Sequence, residues 1–149
     1  MVFLVITVGV LFSLLAVGAY VTAAGYGGLC GLDTPEDWPL CNGHLFPPAD
    51  VGSIVEYTHR ILASLSGLFL VISTLVFWRS RDSDRAPRVL LLLALVSIIA
   101  EIVVGGIVVN SNLSPVIVTI HQAIAMIVFG LTVGAAAVAL GATAGPRKD

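Results

Sequence analysis

Four apolar stretches limit what this chain can fold into more than any other feature. Each is long enough to cross the hydrocarbon core as a helix, which takes about 20 residues. They run from about Val2 to Ala24, Gly52 to Trp78, Val89 to Val109 and Val116 to Ala142. Inside a bilayer the backbone has no water to bond, so such segments must satisfy their own amides as helices. The expected fold is therefore an all-α integral membrane protein. Residues 1–149 form one four-transmembrane-helix bundle, with helices at about 2–24, 52–78, 89–109 and 116–142. The composition agrees, with 58% hydrophobic and 11% charged residues, where a soluble domain carries about a quarter charged. The first stretch lacks a basic leader and is longer than a signal-peptide core, so it reads as a retained span. No basic face exists to meet phosphates, which excludes nucleic acid as a partner.

Basic residues set the expected orientation. Arg79, Arg81, Arg85 and Arg88 flank or lie in the loop between spans two and three, and Arg147 and Lys148 are in the C-terminal tail. Six of the seven Lys and Arg residues thus mark one side, and only Arg60 stands elsewhere. The excess of Lys and Arg on cytoplasmic loops places both termini inside and the 25–51 loop outside. Both cysteines, Cys30 and Cys41, lie in that loop, on the oxidising side, where a disulfide is sterically easy and would restrict the loop by about 3 kcal/mol. Two readings stay open for the pair: a loop staple, or a redox couple exchanging electrons with an outside thiol protein. The spacing is not the Cys-x-x-Cys of dithiol enzymes. His44 shares the loop and reads as solvent-facing, without a role.

Two histidines carry the functional signal. His59 lies a short way into span two and His121 six residues after Pro115 at the start of span four. Both spans start outside, so the two imidazoles lie about 10 Å and 9 Å deep at the helical rise. Glu101, in span three, comes to a similar layer at about 13 Å. Ionisable groups in a membrane are costly and face a bundle interior or a site. Two imidazoles at one level can be the two axial ligands of a haem iron, and a four-helix bundle is a workable frame for that. The plain alternative is hydrogen bonding across helices. Each histidine is followed four residues later by an alanine, Ala63 and Ala125, on the same helical face, which would leave room beside the ring. The two hairpins suggest a weak internal repeat.

Glu56 and Arg60 stand at i−3 and i+1 of His59 and four residues apart, so they can pair with each other. The sharper reading separates them, with Glu56 facing the haem edge and Arg60 reaching a haem propionate. Glu101 must be protonated or paired; Arg60, proton movement and contact with the cofactor all remain open. Gly130 and Gly134 allow close helix packing within the bundle or between subunits.

The stretch Asp37-Trp38-Pro39-Leu40-Cys41-Asn42-Gly43, followed by Glu56-Tyr57-Thr58-His59-Arg60, resembles the haem A synthase family. The segments from Val104-Gly105-Gly106 through His121-Gln122-Ala123 resemble that family's third and fourth spans. The resemblance implies an oxidoreductase that oxidises a ring methyl of haem O to a formyl, giving haem A for haem–copper oxidases. It implies His59 and His121 as axial ligands, Glu56 beside the methyl under attack, and Cys30 and Cys41 as the loop disulfide. Haem is then substrate (haem O), cofactor (haem b), or both. Haem O synthase, a thiol-disulfide protein and a quinone are the candidate partners, in a prokaryotic plasma membrane. Typical members have eight spans in two halves, and this chain corresponds to one half, which implies a homo-oligomer or a single working site. The Gly31–Glu36 stretch reads as an insertion between the cysteines, and Glu101 stands where a neutral amide is expected. The competing function is a non-enzymatic bis-histidine haem carrier or haem chaperone, which would need the histidines but not Glu56. A membrane thiol oxidoreductase would use the cysteines alone.

Overall fold

A computed structural model describes residues 1–31, 40–80 and 85–144. Four helices follow one another: α1 (Val2–Ala23), α2 (Val51–Arg79), α3 (Arg85–Asn110) and α4 (Pro115–Ala144). All four are long and apolar enough to cross a membrane. Neighbouring helices pack in a ring, most closely within the hairpins α1–α2 and α3–α4, while the diagonal pairs α1–α3 and α2–α4 do not approach each other.

The helices outrun the apolar windows at several ends because a helix continues into the interfacial layer beyond the hydrocarbon. The largest difference is at α3, which begins at Arg85 rather than near Val89. Pro87 falls in its first turn, where a missing amide costs nothing. Arg81, Arg147 and Lys148, which contributed to the expected orientation, lie outside the described residues, as do residues 32–39 with the insertion and the Asp37-Trp38-Pro39 motif.

Polarity is distributed as lipid requires. Phe12, Leu68, Ile99 and Met126 face outward, whereas Thr7, Ser66, Ser73, Thr74 and Thr132 are buried. Thr7 Oγ1 and Ser73 Oγ are 2.9 Å apart and tie α1 to α2. The apolar core gathers at Leu4, Leu11, Leu70, Phe77, Leu91, Ala94, Ile98, Val128, Ala135, Ala136 and Ala139. By helix position these residues fill the half of the bundle that ends at Arg79 and Arg85. The opposite half, toward the 25–51 loop, carries the ionisable residues Glu56, His59, Arg60, Glu101 and His121.

That loop end is built with strict local chemistry. Helices α1 and α3 stop in the same way. Gly25 (φ 69) and Asn112 (φ 50) take the left-handed conformation. Tyr26 N–H then donates to Val21 O at 2.9 Å, and Leu113 N–H to Val108 O at 3.0 Å, the closing bonds of a Schellman cap. Helix α2 starts with Asp50 accepting from the Ser53 amide at 2.8 Å. The Ser53 backbone, then its hydroxyl, hold the Asp50 carboxyl below its usual 3.8. This cap is complete at neutral pH and weakens as pH falls through the lowered value.

Thr7→Val and Ser73→Ala should each destabilise the bundle by about 1 kcal/mol, with a coupling of about 0.6 kcal/mol in a double-mutant cycle, measured by reversible unfolding in detergent.

Candidate functional site

The 25–51 loop is stapled and then bolted onto α2. Cys30 and Cys41 form a disulfide, and both are fully buried. Cys41-Asn42-Gly43-His44 turns back on itself, with φ of 51 at Asn42 and 73 at Gly43, as an Asn-Gly type I′ turn requires. Cys41 and His44 exchange backbone bonds at 3.1 and 2.9 Å, so exposed His44 is a turn residue. Below the staple, Cys30 N–H donates to Glu56 Oε2 at 2.9 Å, and Arg60 donates to the Leu40 carbonyl. Glu56 Oε1 accepts from Arg60 at 2.8 Å, with both side chains under a tenth exposed.

The pairing of Glu56 with Arg60 is thus realised, and the reading that separates them is not the arrangement found. Helix geometry explains why: residues four apart share a face, and the disulfide brings the Cys30 amide and the Leu40 carbonyl to that face. Both groups flank His59 on the helix.

His59 and His121 lie in the half of the bundle free of the apolar core, on the diagonal helices α2 and α4. His59 is eight residues into α2 and His121 six into α4, or about 12 Å and 9 Å along the axes. Each imidazole lies on a glycine of its hairpin partner. A Cβ added at Gly18 of α1 would meet His59 Cε1 at 2.8 Å, and one at Gly105 of α3 would meet His121 Cε1 at 3.1 Å. Nδ1 of each ring is buried without a hydrogen bond. At His59 the room comes from Gly18 rather than from Ala63, which is exposed.

The glycines strengthen the internal repeat. Gly18 is seven residues before the capping Gly25, and Gly105 is seven before the capping Asn112. The two hairpins also touch near the rings, where Gln122 Nε2 donates to Thr22 Oγ1 at 3.3 Å and Thr22 Oγ1 donates to Gly18 O at 3.1 Å. Leu113 packs its methyls where a Cβ on Gly27 would stand, joining the two loops. In the Gly130/Gly134 pair, Gly134 meets Leu90 of α3, while Gly130 faces open space.

Glu101 is paired with neither Arg60 nor the loop. Its Oε1 lies 3.0 Å from His121 Nδ1. The contact is not a formed hydrogen bond: His121 Nδ1 is buried without one, and so is the other carboxylate oxygen, Glu101 Oε2. Among the described residues no cluster of three His, Cys, Asp or Glu side chains could hold a bare metal ion. Two imidazoles on diagonal helices, each on a glycine shelf, instead suit a planar group that brings its own donors for the rest of the metal's coordination.

Fold and site together define a multi-pass membrane protein with a paired-histidine bundle. Residues 50–148 match the COX15-CtaA family, described as cytochrome oxidase assembly protein, and the chain belongs to that family. It is similar to the heme A synthase of Bacillus licheniformis, 32% identical over 126 residues, covering 85% of this chain and 40% of that one. The heme A synthases of Bacillus mycoides and Bacillus cereus are each 30% identical over 113 residues, covering 75% of this chain and 35% of theirs. The chain therefore spans well under half the length of these relatives. No solved structure matches it.

Arg60→Met alone strands the buried Glu56 carboxylate and should cost about 3 kcal/mol, whereas Glu56→Gln with Arg60→Met should recover most of it; thermal unfolding in detergent measures both.

Proposed function

We propose that this chain forms a haem site of a haem A synthase, where a ring methyl of haem O is oxidised to a formyl for haem–copper oxidase assembly. The observation that carries the reading is the matched pair of histidines, each seated on a glycine of the neighbouring helix, in the half of the bundle without an apolar core. His59 and His121 would be the two axial ligands, one from each hairpin. Bound haem supplies the iron-centred redox chemistry. The chain supplies orientation and exclusion of water. Gly18 and Gly105 fix how closely each ring lies to its neighbouring helix.

Glu56 is the acid-base candidate, one turn from His59 on the loop side. A carboxylate there can take up a proton or stabilise positive charge developing on the methyl carbon. Arg60 holds it in place and would be the cation to meet a haem propionate. The disulfide supports an outer-face loop, because disulfides persist in oxidising compartments. Arg79, Arg85 and Arg88, at the other end of the bundle, support a cytoplasmic side there.

One observation favours a second reading. Both Glu56 oxygens are engaged, by Arg60 and by the Cys30 amide, as a loop anchor would be. A bis-histidine haem carrier would need no more from Glu56 than this.

The test is haem extraction with mass identification from cells that make haem O but lack their own haem A synthase. Wild type should yield haem A or its hydroxylated intermediate. Glu56→Ala should retain haem without oxidised product, and His59→Ala should lose haem. Gly18→Ala, which drives a methyl into the His59 ring, should weaken haem retention by about 10–100-fold, with Gly67→Ala, which meets nothing within 4 Å, as control. Bound haem with no oxidised product in wild type and Glu56→Ala alike would favour the carrier.

A further inference from the structure

The two histidines differ in what stands behind them, and the internal repeat shows where. Glu101 lies four residues before Gly105, and the residue four before Gly18 is Leu14. One helical turn separates each member of these pairs, so both lie on the same face as their glycine. In the second hairpin, α3 therefore meets His121 twice, with Gly105 against the ring and Glu101 Oε1 at 3.0 Å from Nδ1. In the first hairpin, the position that matches the carboxylate holds a leucine. Glu56, the acidic residue nearest His59 in sequence, spends its oxygens on Arg60 and Cys30.

A carboxylate in this position is expensive. The Glu101 side chain is 13% exposed, and its second oxygen is buried without a hydrogen bond. Arg60, the one basic residue in the chain outside the Arg-rich loop and the C-terminal tail, is held by Glu56. What Glu101 faces is an imidazole nitrogen.

We infer that Glu101 is the positioning residue of the His121 ligand, holding Nδ1–H toward its carboxylate so that Nε2 is bare toward iron, and that it makes the two axial ligands unequal. The inference rests on the haem reading above. A metal-bound histidine commonly gives its other N–H to a carboxylate, which fixes the tautomer and raises the basicity of the ligating nitrogen. A small rotation of the ring, anchored by a bond at Nε2, converts the 3.0 Å contact into that hydrogen bond. A more basic ligand favours the ferric over the ferrous state. His121 thereby lowers the potential of the bound haem further than His59 does, because His59 has only the neutral Leu14 backbone carbonyl behind it where His121 has a carboxylate.

The test loads purified wild type, Glu101→Gln and Leu14→Glu with haem b and measures haem affinity, the electron paramagnetic resonance spectrum and the midpoint potential. Wild type should show a low-spin bis-imidazole signal. Glu101→Gln should keep that signal with altered g values, a raised potential and about 10–100-fold weaker haem binding. Leu14→Glu, which puts a second carboxylate behind the other ligand, should lower the potential; it gives a reading even if Glu101→Gln fails to fold. Unchanged potential and affinity in Glu101→Gln, or an unchanged potential in Leu14→Glu, would overturn the inference while leaving the haem site intact. A wild type that binds no haem would overturn the haem reading, and this inference with it.

Discussion

A polar side chain among lipid tails has no water to bond, so each one in this bundle must be matched by protein or by a ligand. The inner half meets that demand with packing and a few hydroxyl bonds, such as Thr7 to Ser73. The loop-side half meets it with Glu56 against Arg60 and the Cys30 amide, and with Glu101 beside His121 Nδ1. Left over are His59 Nδ1 and Glu101 Oε2, buried without a hydrogen bond, and a pair of glycine shelves. Unsatisfied buried polar groups call for a partner, and the proposed haem would supply one.

The two hairpins follow one plan with two departures. Both use a Schellman-capped first helix, a glycine seven residues before the cap and a histidine near the start of the second helix. The first hairpin adds a long stapled loop that presses on Glu56 and Arg60. The second has a short turn and places Glu101 where the first has Leu14. On the proposed reading the repeat would give two haem ligands, and the departures would make them chemically distinct.

Much of this is legible in the sequence, for definite reasons. Spans are visible because hydrocarbon demands about 20 apolar residues, and histidine depth follows from counting residues along a helix of fixed rise. The Cys30–Cys41 bond and the Glu56–Arg60 pair follow from loop length and i,i+4 spacing. The glycine shelves are not visible, because glycine is common in membrane helices and its meaning depends on which neighbour its face meets. The offsets from Gly18 to Gly25 and from Gly105 to Asn112 were the available signal. The partner of Glu101 was hidden for a related reason. Depth allows both Arg60 and His121, and the choice depends on helix rotation. Helix ends such as Arg85 extend past the apolar window because backbone bonding does not stop where the hydrocarbon does.

The most direct test of the paired-histidine site is the electron paramagnetic resonance spectrum of the haem-loaded protein beside His59→Ala and His121→Ala. The account predicts a low-spin ferric signal of two imidazole ligands in the wild type, converted to high spin or lost in each single variant. A low-spin bis-imidazole signal that survives either substitution would contradict it, because the iron would then be held elsewhere.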